Sequence, residues 1–184
     1  IQLFNGIDAL RQHVTPDVKM HGIITKGGVA ANIVPDEAVA DFYFRASTKE
    51  RVTEVIEKVK KIAEGAALMT GATLEMEKYE LPYDDLKTNE KLSEMFNENL
   101  RALGITDINP GKATGGSSDI GNVSHVAPTI HPYIGITDCP MIGHSVEMAK
   151  ATTTNKAHDR LLIAALAMAY TGYDVIVRNE SLRK

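Results

Sequence analysis

Cysteine, tryptophan and long apolar runs are scarce or absent in this chain of 184 residues. Its single cysteine, Cys139, excludes an internal disulfide framework and the paired-cysteine motifs of zinc and redox sites. Such cysteine usage fits a reducing compartment, and we expect a cytoplasmic protein. The sequence shows no signal or transit peptide, and its longest apolar run, residues 161–170, is too short to span a bilayer. No membrane partner is expected.

An excess of charge of either sign is also lacking. Lys and Arg number 20 and Asp and Glu number 24, which gives a formal net charge of -4, and the basic residues are dispersed along the chain. This distribution argues against a nucleic-acid partner. The 43% hydrophobic content is that of an ordinary globular protein, which at this length needs neither a disulfide nor a metal to hold its core. A small polar partner is expected instead.

The first half contains a regular order of amphipathic segments. Residues 38–46 alternate between apolar and polar side chains, the pattern of a half-buried antiparallel strand. Ser47 and Glu50 form a Ser-x-x-Glu capping box before a helix that Gly71 ends. The predicted order is helix, strand, strand, helix and strand, at residues 1–13, 19–31, 38–46, 47–71 and 72–81. This order is a βαββαβ split unit without its first strand.

The second half begins with a predicted helix and then becomes rich in loops. Glycine, serine, threonine and asparagine dominate residues 110–128, where one short helix should start near Asp119. The last predicted helix, at residues 155–172, is nearly apolar and should be packed on most sides. The remaining predicted elements are helix 89–103, strand 129–136 and helix 155–172. The fold class is therefore α+β or α/β, with one domain at residues 1–84 and another at 85–184.

Two glycines and two hydroxyls precede the short helix, in the segment of residues 113–122. Backbone N–H groups of this segment could close on an anion or an oxyanion, helped by the positive end of the helix dipole. The competing interpretation is a tight turn in which Ser118 or Asp119 caps the helix. On spacing alone the turn is favoured, because short Gly-Ser motifs are common.

His144 follows a connection that contains Pro140, so we expect it on a loop, where a neutral imidazole can bind zinc or carry protons. One histidine cannot make a metal site. The nearest candidate partners are Asp119, His125 and His131. The sequence has no HExxH, His-x-Asp or Glu-Glu motif, so a complete metal site cannot be assembled from it.

Arg45 lies near the end of the second strand on its polar face, and Asn32 lies in the turn before that strand. In a hairpin the two side chains could converge, and a guanidinium with an amide suits bidentate capture of a carboxylate. The alternative is that Arg45 is an ordinary exposed strand-end arginine and that Asn32 serves the backbone of the turn.

Several separate motifs together resemble the M20 family of metal-dependent aminoacylases, carboxypeptidases and dipeptidases, and especially its amidohydrolase branch of aminobenzoyl-glutamate hydrolases and β-alanyl dipeptidases. They occur in the family's order: GGVAANIVPD at 27–36, FYFRA at 42–46, TGGSSDIGNVSH at 114–125, PTIHP at 128–132 and GHS at 143–145. The resemblance implies a ferredoxin-like lid that forms a homodimer, here without its first strand, and a zinc-peptidase-like α/β catalytic domain. It also implies two bridged metal ions, usually zinc and sometimes manganese or cobalt.

The same resemblance assigns roles to individual residues. His144 would be the last metal ligand. Asn32 and Arg45 are similar to lid residues that reach across the dimer to hold the carboxylate of a small substrate, and Gly116, Ser117 and Ser118 would line its amide. The bond cleaved would be an amide next to a free carboxylate, as in an N-acyl amino acid, an aminobenzoyl-glutamate or a dipeptide.

The chain departs from the family in one respect. The family's His-x-Asp motif, bridging aspartate and Glu-Glu pair precede the lid, and nothing in this sequence corresponds to them. We therefore expect most of the lid and the C-terminal half of the catalytic domain, and an isolated chain that hydrolyses nothing, because metal-activated water needs the missing groups. One alternative is a non-catalytic dimerising or carboxylate-binding module. The other is a self-sufficient hydrolase with a metal site from His144, Asp119 and His125.

Overall fold

The computed structural model describes residues 1–110 and 116–178 of the chain. The chain divides into two compact units, Ile1–Asp85 and Leu86–Lys184. Both units mix helices with extended segments, and the first contains a small antiparallel sheet. The mixed α and β fold class predicted from the sequence is confirmed. The assignment of the two halves to a lid and a catalytic domain stays a prediction.

The first unit follows the predicted order through its first four elements. These are helix α1 (Gln2–Leu10) with a 3-10 turn (Arg11–His13), strand β1 (Lys19–Lys26), strand β2 (Val39–Arg45) and helix α2 (Lys49–Thr70). The strands pair antiparallel, with Lys19 opposite Arg45 and Lys26 opposite Val39. Because side chains alternate across a strand, this register gives the hairpin one apolar and one polar face.

The apolar face of the hairpin packs against the helices. A buried cluster of Ile7, Val18, Met20, Val55 and Val59 forms this core, with Phe42 and Phe44 packed against it. The Phe42 and Phe44 rings stack with their centroids 6.1 Å apart. At Gly22, across from Phe42, a Cβ would collide with the Phe42 ring, so only glycine lets the aromatic ring lie over β1.

Helix α2 begins one residue later than the capping box predicts. The Thr48 hydroxyl, rather than that of Ser47, accepts from the Arg51 N–H at 3.3 Å. Ser47 does not cap the helix, because its N–H and its hydroxyl both donate to the Asp17 carboxylate. The helix ends at Gly71, which adopts a left-handed conformation with φ of 68°, as the sequence predicts.

The two further strands expected from the sequence, at residues 72–81 and 129–136, are not formed, and that expectation is wrong. A strand needs a neighbour for its backbone N–H and C=O groups. Among the described residues β1 and β2 are the strands of the one sheet, and neither pairs with residues 72–81. In the described part of the second unit only an isolated bridge joins Thr88 to Thr129. Alternating side chains alone do not create a strand without a partner.

The second unit is built around two helices. Helix α3 (Glu90–Ala102) packs against the long C-terminal helix through a core of Phe96, Leu100 and Ala167. Asn99 adds polar contacts, because its Nδ2 donates to Thr171 Oγ1 at 3.2 Å and to Asp174 Oδ2 at 3.0 Å. The long C-terminal helix is α6 (Asn155–Val177). Between α3 and α6 the described residues also form α4 (Ile120–Ser124) and α5 (Val146–Ala151), and the sequence pattern does not predict α5.

Helix α6 is longer than predicted and is not packed on most sides, which corrects the expectation from its composition. Leu161 and Leu162 are each 64% exposed, and Ile176 is 78% exposed. By length and composition α6 passes the test for a membrane-spanning helix, with a mean hydropathy of 1.5 over an 18-residue window. A core helix of a soluble protein passes the same test, so the finding is weak evidence for a membrane.

Candidate functional site

Arg45 ends strand β2 and carries an exposed side chain. Its register partner is Lys19, and both residues belong to the face of the hairpin turned away from the aromatic core. Asp41 and Tyr43 precede Arg45 at two-residue intervals on the same face. Backbone pairing therefore presents a row of chemically different side chains along β2, with a guanidinium at one end.

Asn32 lies in the connection between the two strands, residues 27–38, and is exposed. The hairpin register places Arg45 at the other end of β2 from this connection. The seven residues of β2 extend over about 23 Å. Asn32 lies outside the paired residues, so the course of the connection, and not the register of the strands, sets its distance from Arg45. Their joint role at a carboxylate stays a prediction.

A recess of about 230 Å³ lies on the polar face of the hairpin, and no sequence motif points to it. The rings of Tyr43 and Tyr79 meet edge to face in its wall, with centroids 5.6 Å apart and an interplanar angle of 88°. The alternation of β2 places Asp41 and Tyr43 on this face, but Tyr79 comes from a segment without regular structure. The recess is lined by His21, Gly22, Ile23, Asp41, Tyr43 and Tyr79.

The position of Tyr43 is held by hydrogen bonds beyond the strand. Its hydroxyl is hydrogen-bonded to the Glu80 carboxylate, and this bond, with burial and the nearby Tyr79, raises the pKa of Tyr43. The phenol therefore stays neutral and donates to Glu80. The Tyr79 hydroxyl in turn lies 3.4 Å from the backbone carbonyl of Phe42. These contacts hold residues 79–80 beside β2.

The glycine-rich loop is described only from Gly116 onward, and residues 113–115 of the motif lie outside the described residues. Gly116 and Ser117 are exposed. The Ser118 hydroxyl accepts from the Ile120 N–H at 3.3 Å, at the start of α4. The N-cap residue of α4 is Asp119, whose side chain makes no capping hydrogen bond, so the Ser118 contact is a local serine turn before the helix. The assignment of all three residues to a substrate amide stays a prediction.

His144 has an exposed side chain and an unusual backbone, with φ of 56°. A left-handed conformation is uncommon for a residue with a Cβ, although histidine is enriched there. Ser145 follows as the cap of α5, accepting from the Met148 N–H at 3.1 Å and donating to the Ile142 carbonyl at 2.8 Å. The capped helix start thus holds the backbone of His144 in a defined turn.

A metal centre needs several donor side chains gathered around one point. Over residues 1–110 and 116–178, no group of three or more His, Cys, Asp or Glu side chains is placed to hold a metal ion. His144, Asp119 and His125 are therefore not brought together, and the self-sufficient metal site is not formed by the described residues. Cys139 is an exposed free thiol.

Comparisons with known proteins bear on both units. A family profile for a peptidase dimerisation domain of the M20 group matches residues 3–70. The Xaa-Arg dipeptidase of Homo sapiens is 34% identical over 182 residues, which is 97% of this chain and 42% of that protein. The dipeptidase of the same name from Mus musculus is 34% identical over 179 residues, 95% of this chain and 41% of that protein.

A third relative is matched over a shorter stretch. One subunit of the p-aminobenzoyl-glutamate hydrolase of Escherichia coli strain K12 is 38% identical over 71 residues, which is 38% of this chain and 15% of that subunit. The chain thus spans about two fifths of the dipeptidases it matches.

The class of the first unit follows from its helices, its hairpin and the matched profile, which together define a peptidase dimerisation domain. The chain belongs to the M20 family, whose members among these relatives are hydrolases.

Proposed function

We propose that this chain is part of an amidohydrolase that cleaves an amide bond next to a free carboxylate. The observation that carries the proposal is the 34% identity with a dipeptidase over 97% of the chain. The names of the relatives specify a dipeptide ending in arginine and an aminobenzoyl-glutamate. Both compounds are amides whose amine-side residue carries a free carboxylate, so this shared chemistry defines the proposed substrate class.

Arg45 is the proposed carboxylate-binding residue. Its guanidinium is exposed at the end of a hydrogen-bonded strand, which limits the backbone freedom that binding would otherwise remove. A planar guanidinium binds both oxygens of a carboxylate at once, which a lysine ammonium cannot do. Asn32 is proposed as its partner, and Gly116, Ser117 and Ser118 as donors to the substrate amide.

A divalent metal centre is proposed for the whole enzyme, with two zinc ions as the first candidate and manganese or cobalt as alternatives. Such a centre supplies activated water when bound. His144 is the proposed ligand from this chain, and the capped start of α5 fixes the backbone from which its imidazole projects. The described residues do not fit a complete metal centre, since no three donors gather, so no step of the reaction is derived through the metal.

Homodimer formation through the first unit is proposed from the match to the dimerisation domain. A cytoplasmic location is proposed from the single cysteine. A small substrate, rather than a membrane or a nucleic acid, is the proposed partner, in keeping with the dispersed charge of the chain.

The role of Arg45 is tested by steady-state kinetics of the full-length protein with an Nα-acyl amino acid or dipeptide substrate. Loss of a bidentate carboxylate contact should raise KM by about 10 to 100-fold in Arg45→Ala. Lys60→Ala is the control, because Lys60 pairs with Glu57 on an exposed turn of α2, away from the hairpin's polar face. Unchanged kinetics of Arg45→Ala would rule out this assignment.

The alternative function, a dimerising or carboxylate-binding module without turnover, is favoured by the dimerisation domain together with the lack of a gathered donor set in the described residues. Elemental analysis of the 184-residue protein after loading with zinc or manganese and desalting separates the cases. One or two retained ions per chain would indicate a metal site within this chain. Carboxylate binding without retained metal or turnover would support the module.

A further inference from the structure

Lys19 and Arg45 stand directly opposite each other at one end of the hairpin. They are register partners on β1 and β2, and both side chains are exposed on the face turned away from the aromatic core. Side chains of directly opposite residues in an antiparallel pair share a face, with Cβ atoms about 4.5–5.5 Å apart. The guanidinium proposed to hold a carboxylate therefore has an ammonium-bearing side chain as its cross-strand neighbour.

The backbone at this end of the hairpin is fixed by hydrogen bonds beyond the last strand pair. Two residues before Lys19 and two residues after Arg45, the Asp17 carboxylate accepts from the Ser47 N–H at 3.0 Å and from the Ser47 hydroxyl at 2.7 Å. These bonds join the two segments one step past the end of the ladder. The two cations are thus carried by backbone that is bonded on both sides of them, so little backbone freedom is lost when a ligand binds.

The Lys19 ammonium forms no ion pair with an acid of the described residues. Its hydrogen bond there donates to the Pro16 carbonyl at 3.0 Å, which leaves two of the three N–H groups of an ammonium for other acceptors. The acid closest to it along the chain, Asp17, forms its ion pair with Arg51 instead, with 2.9 Å between Nη1 and Oδ1. The positive charge of Lys19 is therefore available to a ligand.

Like charges on directly opposite residues of a sheet destabilise the free protein. An anion between them makes the arrangement favourable, because each cation then faces an opposite charge. A carboxylate offers about four lone-pair positions, and a bidentate guanidinium fills only two of them, so an ammonium beside it can take a third. The pair is thus unfavourable when empty and favourable when a carboxylate is bound, which is the energetic pattern of a binding site rather than of a structural contact.

We propose that Lys19 is a second carboxylate-binding residue, which donates to the same substrate carboxylate that Arg45 holds. The inference rests on the proposed function of Arg45 and adds a residue to that site. Lysine contributes a point charge that attracts the carboxylate, whereas the planar guanidinium sets its orientation. Lys19 therefore raises the affinity for the carboxylate form of a ligand and leaves the affinity for a neutral analogue unchanged.

Binding of matched acid and amide probes to the full-length protein, measured by isothermal titration calorimetry, tests this role without turnover. Nα-acetyl-L-methionine carries the carboxylate, and Nα-acetyl-L-methioninamide replaces it with a neutral amide. The ratio of the two dissociation constants is the carboxylate preference. Because an exposed ion pair contributes modestly, Lys19→Gln should reduce this preference about two- to fivefold, through weaker binding of the acid probe alone. Lys19→Arg, which keeps the charge, should retain most of the preference.

Lys61→Gln is the matched control, since it removes the same charge from an exposed position of α2, which packs against the other face of the hairpin. It should leave the carboxylate preference unchanged. Urea denaturation adds a readout that a structural role would move the other way. Lys19→Gln should be at least as stable as the unmodified protein, because it removes the like-charge pair. Lower stability with an unchanged carboxylate preference would overturn the proposal and assign Lys19 to the turn at Pro16.

Arg45→Ala, measured with the same probes, distinguishes the two cations, and we expect it to reduce the preference more than Lys19→Gln does. A preference lost in Arg45→Ala but unchanged in Lys19→Gln would overturn the role of Lys19 and leave the proposed function in place. A preference reduced only in Lys19→Gln would contradict the proposed role of Arg45 and support anion binding by Lys19. Equal affinity of the unmodified protein for both probes would contradict both assignments. If Lys19→Gln weakens only a dicarboxylate probe, Nα-acetyl-L-glutamate, the shared carboxylate is wrong.

Discussion

Ser47 and Asp17 are joined by two hydrogen bonds: the Ser47 N–H donates to Asp17 Oδ2 at 3.0 Å and the Ser47 hydroxyl donates to the same oxygen at 2.7 Å. Arg51 donates to the other oxygen, Oδ1, at 2.9 Å. One carboxylate therefore ties the turn before β1 to the start of α2. Hydrogen bonds from Thr15 and Ser47 hold the pKa of Asp17 well below its ordinary value of 3.8.

This carboxylate should make the stability of the first unit depend on pH. Because its pKa is lower in the folded than in the unfolded state, the unfolded chain binds more protons at acid pH. The contribution of Asp17 is thus complete above about pH 5 and is lost as the pH falls through and below 3.8. Asp17→Asn should lower the urea midpoint at pH 7 and narrow its difference from the unmodified protein at pH 3. Asp36→Asn, an exposed turn residue, is the control, and a constant difference at both pH values would contradict the prediction.

Two glycines of α2 should respond to alanine in opposite directions. Gly71 ends the helix with φ of 68°, which a Cβ disfavours, so Gly71→Ala should destabilise the protein by about 1 kcal/mol. Gly65 lies inside the helix with no atom within 4 Å of an added Cβ, so Gly65→Ala should stabilise it by about 0.5–1 kcal/mol. Chemical denaturation measures both, and shifts of the same sign would argue against the assigned end of α2.

Packing between α3 and α6 can be tested by enlarging one side chain. Ala167 is 0% exposed in the core of the second unit, so Ala167→Leu should cost about 1–3 kcal/mol through overpacking. Ala165→Leu makes the same change at an exposed position of α6 and should be nearly neutral. Equal unfolding midpoints for the two variants would show that the contact between α3 and α6 is not tightly packed.

The backbone of His144 predicts a distinction between two variants that both remove the imidazole. Both His144→Gly and His144→Ala should weaken metal retention by the full-length protein if His144 is a ligand. His144→Gly should nevertheless be more stable than His144→Ala, by about 1 kcal/mol, because φ is 56° at this position. Metal retention equal to that of the unmodified protein would remove His144 from the proposed site, whereas equal stability of the variants would contradict the strained turn.

Sequence pattern predicts an element correctly where the interactions that form the element lie within a few residues of one another. Caps and periodicity predict the helix that ends at Gly71 and the alternating strand that ends at Arg45, since the hydrogen bonds and side-chain directions concerned lie within a few residues of sequence. The capping box misplaces the cap itself by one position, because Asp17, thirty residues away, takes both donors of Ser47.

Pattern fails where an element needs a distant neighbour. Residues 72–81 alternate but form no strand, because no described strand pairs with them, and α6 is apolar but only partly covered. Sequence spacing also suggests that Asn32 and Arg45 converge, and this stays a prediction because Asn32 lies in the connection outside the paired residues of β1 and β2. Strand partners and register depend on contacts between segments far apart in the chain.

Neighbouring residues were enough to specify the order of helices and strands through residue 71, the family and the candidate residues, because caps, alternation and short motifs are local in the chain. Which side chains share a surface emerged only from the folded arrangement. Folding brings Asp41 and Tyr43 of β2 beside Tyr79, and within the described ranges it leaves Asp119, His125 and His144 unassembled. The physical reason is that a site depends on distances through space, which the folded backbone sets and sequence spacing does not.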